Sequence, residues 1–207
     1  MKKQIFALIT FTALVLAVTV SLGAQTFRVV DEYQGDREQG PVWFYLVRVD
    51  GGAWQELRHV STLPAEYRAW GDNWQFSSNP HAEGIYFSFC TWEGVVTVQS
   101  GNMDDKKYEV ALGFRAPSAG RAAISNFQVI SHGPENPADP PAGPIALTFV
   151  HGTRQLGSTN VSGRTGTVRG VNATMAAGDM LYIIVDPLRV DVTNVILDNL
   201  AVNFRAN

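Results

Sequence analysis

Between Tyr108 and Arg115 the chain alternates strictly: Tyr108, Val110, Leu112 and Phe114 against Glu109, Ala111, Gly113 and Arg115. A repeat of two is the signature of a strand with one buried face. Pro117, Ser118, Ala119 and Gly120 come next. They reverse the chain, because proline fixes φ and glycine accepts positive φ. From Ala122 to Ile130 the run is apolar again, but its phase shifts between Ile124 and Phe127. A bulge near Ser125 and Asn126 would produce that shift.

Most other strong segments also read as strands able to pack on this unit. Phe27 opens a short strand that passes into a polar loop ending at Gly40. Val42 to Val49 is a strand rich in aromatics, and the Asp50-Gly51-Gly52 turn lets Ala53 to His59 pair back as a hairpin. Thr62 to Pro80 is less regular and carries Trp70 and Trp74 around Gly71-Asp72-Asn73. Ile85 to Phe89 alternates, Gly94 interrupts, and Val95 to Gln99 continues as a strand. The segment 132–144, HGPENPADPPAGP, holds five prolines. It reads as a long surface loop rather than a linker, since strands resume at once and neither flank could form a full core alone.

Ile145 to His151 is a strand, His151 to Arg154 a turn, and a short strand ends near Gly157. Ser158 to Gly166 reads as a flexible loop and Thr167 to Met175 as a further strand. After the Ala177-Gly178-Asp179 turn, Leu181 to Val185 is an unbroken apolar run. That suits a central strand buried on both faces. Val195 to Phe204 is the last strand. No segment keeps a helical period over ten residues. Many short strands separated by Gly and Pro turns predict an all-β fold, a two-sheet antiparallel β-sandwich.

The N-terminus lies outside that fold. Lys2 and Lys3 precede an apolar run from Ile5 to Val20, and Ser21, Leu22, Gly23 and Ala24 follow. This is the layout of a cleaved secretory signal peptide, and the run is shorter than the ~20 residues of a spanning helix. Residues 1–24 are therefore expected to be removed, leaving 25–207 as one domain without a membrane span, in the periplasm, on the cell surface or in the medium. Loss of Lys2 and Lys3 shifts the formal charge from −3 to −5, 14 Lys and Arg against 19 Asp and Glu. A mildly acidic exported domain lacks the basic surface that nucleic acid requires. The single cysteine, Cys90, allows no intrachain disulfide. Set among aromatics in YFSFCTW, it reads as a small buried hydrophobe.

Several pieces together carry a resemblance: GPVWFYL at 40–46, Gly71-Asp72-Asn73-Trp74, VALGFRAPSAGRAAIS at 110–125, and AAGDMLYIIVDP at 176–187, followed by a Leu-Asp strand. The chain resembles the jelly-roll accessory domains of bacterial exported proteins, which are similar to carbohydrate-binding modules. The resemblance implies a jelly-roll-like sandwich and work on glycans. Here the domain fills nearly the whole mature chain, so it is expected to act alone or with a separate partner.

Recognisable catalytic signatures are missing from the sequence. His59, His81, His132 and His151 form no HExxH or Cys/His metal spacing, and there is no G-x-S-x-G elbow or Walker loop. Asp104 and Asp105 lie in a polar turn, where a solvated role suits them. No cofactor is implied. A structural calcium ion is the one metal the pattern allows, from Asp179, Asp186, Asp191 and Asp198 near the C-terminal strands.

The aromatics say more. All five tryptophans, Trp43, Trp54, Trp70, Trp74 and Trp92, precede residue 93. Sugar C–H faces stack on such rings while neighbouring polar groups bond to hydroxyls. Trp43 and Trp92 sit in strand-like runs and read as core. Trp54 follows a Gly-Gly turn and stands either way. Trp70 and Trp74, with Asp72 and Asn73 between them and Arg68 just before, are the expected ligand-facing loop. Together these residues point to a non-catalytic exported domain that binds carbohydrate or a cell-surface glycan. Its rivals are a structural or adhesive domain that binds protein and a small polysaccharide-cleaving enzyme.

Overall fold

Among the described residues alternating β-branched and aromatic positions dominate, and the chain there folds almost wholly as strands. The computed structural model describes residues 23–32, 41–59, 73–75, 88–92, 95–103, 105–132, 144–188 and 192–207. The signal-like segment up to residue 22 and the Pro-rich stretch 133–143 lie outside them. In chain order come β1 (Gln25–Arg28), one helical turn α1 (Val29–Glu32), β2 (Trp43–Val49), β3 (Gln55–Glu56), β4 (Arg58–His59), β5 (Asn73–Gln75) and β6 (Ser88–Trp92). They are followed by β7 (Val95–Met103), β8 (Lys106–Arg115), β9 (Gly120–Ile124), β10 (Phe127–His132), β11 (Ile145–His151) and β12 (Arg154–Val161). The last are β13 (Thr165–Val168), β14 (Asn172–Met175), β15 (Met180–Asp186), β16 (Val192–Asp198) and β17 (Ala201–Ala206).

Among the described residues these strands form a four-stranded sheet, β1-β17-β9-β14, and a 13-stranded sheet. The larger one runs β12-β11-β15-β8-β7-β16-β10-β13, with β2 and β3 attached to β8 and β4 to β6 attached to β7. Every pairing is antiparallel. The halves of the large sheet meet only at the β7–β8 hairpin, where Gly101–Met103 pairs with Lys106–Tyr108. Here the sheet folds over. Phe127 on β10 and Phe149 on β11 are five strands apart in the order, yet their rings meet edge-on at 6.4 Å. A flat sheet would hold them about 24 Å apart, at ~4.8 Å per strand. Buried Ser100 pins the bend, its hydroxyl lying 2.9 Å from the Tyr108 carbonyl and 3.2 Å from that of Val185.

A front layer, β3-β2-β8-β15-β11-β12, thus packs on a back layer made of the other half and the small sheet. The core fills the space between. Phe114 on β8 meets Trp43 and Phe27 at 5.4 Å and Phe204 of the small sheet at 6.0 Å. Leu112, Ile183, Leu147 and Phe149 are fully buried around it.

The observed strands correct the sequence reading in several places. The turn at 117–119 exists, but β8 and β9 do not pair; the chain leaves the large sheet for the small one. The break at Ser125-Asn126 is likewise a change of sheet rather than a bulge, with β9 in the small sheet and β10 in the large. The expected single strands Thr167–Met175 and Val195–Phe204 divide in the same way, into β13 with β14 and β16 with β17. The three divided runs lie side by side, β10 between β13 and β16, and β9 between β14 and β17. Together they turn the corner of the sandwich, as strands that switch sheets do. Asn126 secures the corner by accepting the Gly170 N–H at 2.9 Å, where a side chain at Gly170 would run into the Ile124 carbonyl. Much of the expected loop 158–166 is strand, since β12 extends to Val161 opposite Ile145. Val95 does not continue the preceding strand but pairs back against it, Trp92 opposite Val95.

Candidate functional site

A strand presents alternate residues to opposite faces, so the front layer has an outer face as well as a core face. Across it, Leu46, Ala111, Ile184 and Thr148 form one cross-strand row. Phe44, Gly113, Tyr182 and Val150 form the next. Phe44, Leu46, Ala111 and Ile184 are buried here as a second, smaller apolar cluster. Gly113 keeps this face low, since a Cβ there would strike Met180 Cε and Leu46 Cδ1. The strand expected to have one buried face, β8, is therefore covered on both. The strand expected to be buried on both, β15, instead keeps Tyr182 half-exposed.

Trp54 reaches this face by way of the predicted turn. Asp50 and Gly51 adopt positive φ (49° and 71°), and the Gly52 N–H donates to the Val49 carbonyl at 2.9 Å. Asp50 anchors the turn on β8: its N–H donates to the Lys107 carbonyl at 2.9 Å and its carboxylate accepts the Lys107 N–H at 2.8 Å. The chain returns as β3, with Gln55 opposite Val47. Half-buried Trp54 then lies nearly parallel to Tyr182, 10° between planes and 5.9 Å between centroids. The Arg48 guanidinium sits 4.6 Å from the indole centroid, within cation–π range.

A chain of ion pairs borders the two rings. Arg48 grips Glu109 with a two-pronged contact, Nε to Oε2 at 2.7 Å and a terminal N–H to Oε1 at 3.0 Å. Lys107 Nζ lies 3.7 Å from Glu109 and 2.7 Å from Asp186. The second Asp186 oxygen accepts the Leu188 N–H at 2.8 Å. Between rings and charges runs a groove of about 490 Å³, whose wall also carries Thr148, Gln155 and Gly152. Aromatic area beside ordered donors and acceptors is the usual composition of a small-ligand surface. At the far edge, His151 Nε2 lies 3.0 Å from Asp179, which also accepts the Ala176 N–H at 2.8 Å. The Ala176 bond first, and His151 second, hold the Asp179 carboxyl below its ordinary 3.8.

Of the residues expected to bind ligand, only Trp54 is placed at this groove. Arg68, Trp70 and Asp72 lie outside the described residues. Asn73 and Trp74 belong to a paired strand, β5, opposite Cys90 and Phe89. That part of the presumed irregular segment is thus sheet backbone. Trp43 is core, 1% exposed. Of the carboxylates considered for calcium, Asp179 and Asp186 are engaged as above, Asp198 accepts the Asn199 amide at 2.9 Å, and Asp191 is outside the described residues. Among the described residues no three His, Cys, Asp or Glu side chains gather to hold a metal. Nor is any helix among them long and apolar enough to cross a membrane.

Arg48, Glu109, Lys107 and Tyr182 were not anticipated as site residues, and Asp186 was considered only as a calcium ligand. Arg48 and Glu109 did leave a trace, as charges placed inside strands at the parity of Leu46 and Ala111. Tyr182 left none within LYIIV.

No protein family and no curated protein matches the sequence. Among solved structures the chain is similar to carbohydrate-binding modules. A family 29 module is 8% identical over 89% of this chain and 90% of its own, with a TM-score of 0.42. A family 4 module is 11% identical over 67% and 91%, TM-score 0.39. A family 61 module in complex with β-1,4-galactotriose is 14% identical over 78% and 88%, TM-score 0.33.

Proposed function

We propose that the front-layer groove binds a neutral carbohydrate chain, without cleaving it, on an exported protein. The supporting observation is the Trp54–Tyr182 pair, two nearly parallel rings beside a polar groove wall. Pyranose C–H faces pack on the rings, and Thr148, Gln155 and the ordered ion-pair groups meet the hydroxyls. Glu109 and Asp186 are both committed to cations, which suits a fixed hydrogen-bonding wall better than acid–base work. Export follows from the signal-like N-terminus.

Affinity electrophoresis through gels containing neutral polysaccharides, guided by a glycan array, tests the reading. Retardation by at least one glycan is expected. Trp54→Ala should weaken it by about 1–3 kcal/mol, by analogy with other stacking contacts on aromatic rings. Unchanged retardation in Trp54→Ala and Tyr182→Ala, or none in wild type across the array, would overturn the assignment.

A further inference from the structure

We propose that the outer face of the four-stranded sheet is a second ligand face, taking an anionic saccharide chain across Arg121 and Arg205. Arg205 on β17 lies directly opposite Arg121 on β9, and Thr174 on β14 is opposite Arg121 on its other side. Both arginines are exposed. Among the described residues neither guanidinium has an ion pair, hydrogen bond or ring contact, and like charges directly opposite each other repel. An uncompensated pair on a chain of net charge −3 is an unfavourable arrangement that a bound anion relieves. The neighbouring row is Thr26, Asn203, Ala123 and Asn172. Thr26 donates to the Asn203 side-chain carbonyl at 2.7 Å, so the Asn203 amide N–H groups remain to donate outward. The rows border a shallow depression of about 530 Å³ floored by Ala123.

The chemistry selects the ligand. Each guanidinium offers a planar fork matched to carboxylate or sulfate oxygens. Adjacent strands root the two side chains about 4.8 Å apart at the backbone, so both forks can reach acidic groups borne on one sugar chain. Amide and hydroxyl groups alongside match sugar hydroxyls. Among the described residues no aromatic side chain lines the depression to stack a base, and no large apolar one to seat a lipid. The proposal does not depend on the front-layer groove.

Affinity electrophoresis with polygalacturonate, dextran sulfate and unmodified dextran separates carboxylate, sulfate and neutral chains. The wild-type protein should be retarded by at least one acidic polymer and less so as salt rises. The Arg121→Ala/Arg205→Ala double variant should lose at least about ten-fold in that affinity (1.4 kcal/mol per decade). Trp54→Ala should keep it, which separates failure of this site from failure of the groove. Circular dichroism melts check the fold, and Arg205→Ala alone serves if the double variant does not fold. Equal affinity of the arginine variants, no retardation by either acidic polymer, or equally tight arginine-dependent binding of a single-stranded oligonucleotide would overturn the proposal.

Discussion

The two outer faces of the sandwich treat positive charge in opposite ways. On the front layer Arg48 is clasped by Glu109, Lys107 lies between Glu109 and Asp186, and Arg115 stacks over Phe44 at 4.0 Å. On the small sheet Arg121 and Arg205 face each other with neither a carboxylate nor a ring beside them among the described residues, whereas Arg28 at the edge of that sheet pairs with Asp31 at 3.6 Å. The cations of the front face are thus partnered, and aromatic area is its open feature. At the Arg121–Arg205 pair the small-sheet face is electrostatically open, and among the described residues no ring lines the depression there. One protein therefore presents a stacking surface that salt should hardly affect and a cationic surface that salt should screen.

The largest effect expected is from the layer beneath the groove. Ile183 is fully buried and directly opposite Leu112, on the strand that also carries Tyr182. Ile183→Ala should destabilise by about 2–5 kcal/mol, the range for emptying a packed aliphatic site, measured by urea unfolding. A loss below ~1 kcal/mol would mean that the groove does not stand on a rigid core. Next comes the charge contrast itself. The Glu109 side chain is only 7% exposed and holds Arg48. Removing it leaves that guanidinium without its partner, so Glu109→Ala should be destabilising by about 1–3 kcal/mol. If Glu109→Ala unfolds like wild type, the Arg48–Glu109 pair adds nothing to the front face and the contrast between the faces fails.

How far the chain could be read follows the same physics. Periodicity reports that a residue faces a core, and so it located the segments of β2, β8, β11 and β15. It does not report which sheet a strand joins. Ala122–Ile130, Thr167–Met175 and Val195–Phe204 keep their apolar character straight through the corner, because both sheets bury against one core. Of the interruptions only Ser125-Asn126 was read from the sequence, as a shift of phase; those at Arg169-Gly170 and at Asn199, where the structure has φ of 58°, were not. Nor was it visible that the three align in space, which is a long-range fact. The candidate faces were harder still. Trp54 stood out as an indole after a Gly-Gly turn, and the sequence left its role open between core and ligand surface. Arg121 and Arg205 are 84 positions apart in the sequence and become a pair only through the register of β9 and β17.

That pair supplies a smaller prediction of the opposite sign. Arg205 is exposed, unpartnered and opposite another arginine. Arg205→Ala should therefore leave stability within about 0.5 kcal/mol of wild type, as for surface sites without partners. Any change should favour the variant at low salt, where the repulsion is least screened. A clear destabilisation would show that Arg205 contributes to the fold, and the contrast with Glu109 would fail.

The smallest effect concerns pH, and it too separates the faces. Asp179, at the edge of the front layer, is held below its ordinary 3.8 by the Ala176 N–H and by His151. A depressed carboxyl binds its proton more weakly folded than unfolded. Its contribution to stability is therefore fully present above 3.8 and is lost as pH falls through the lower, folded value. The group is solvent-exposed, so the effect should be a slight steepening of melting temperature against pH below 3.8, not a separate transition. Asp179→Asn should flatten that steepening and change little at neutral pH beyond the His151 contact. Arg121→Ala should leave it untouched, because the small-sheet face offers no carboxyl to protonate among Thr26, Asn203, Ala123, Asn172 and Thr174. Parallel curves for wild type and Asp179→Asn would mean that neither the Ala176 bond nor the His151 contact at 3.0 Å makes the Asp179 charge matter to the fold, and that acid does not distinguish the two faces through this residue.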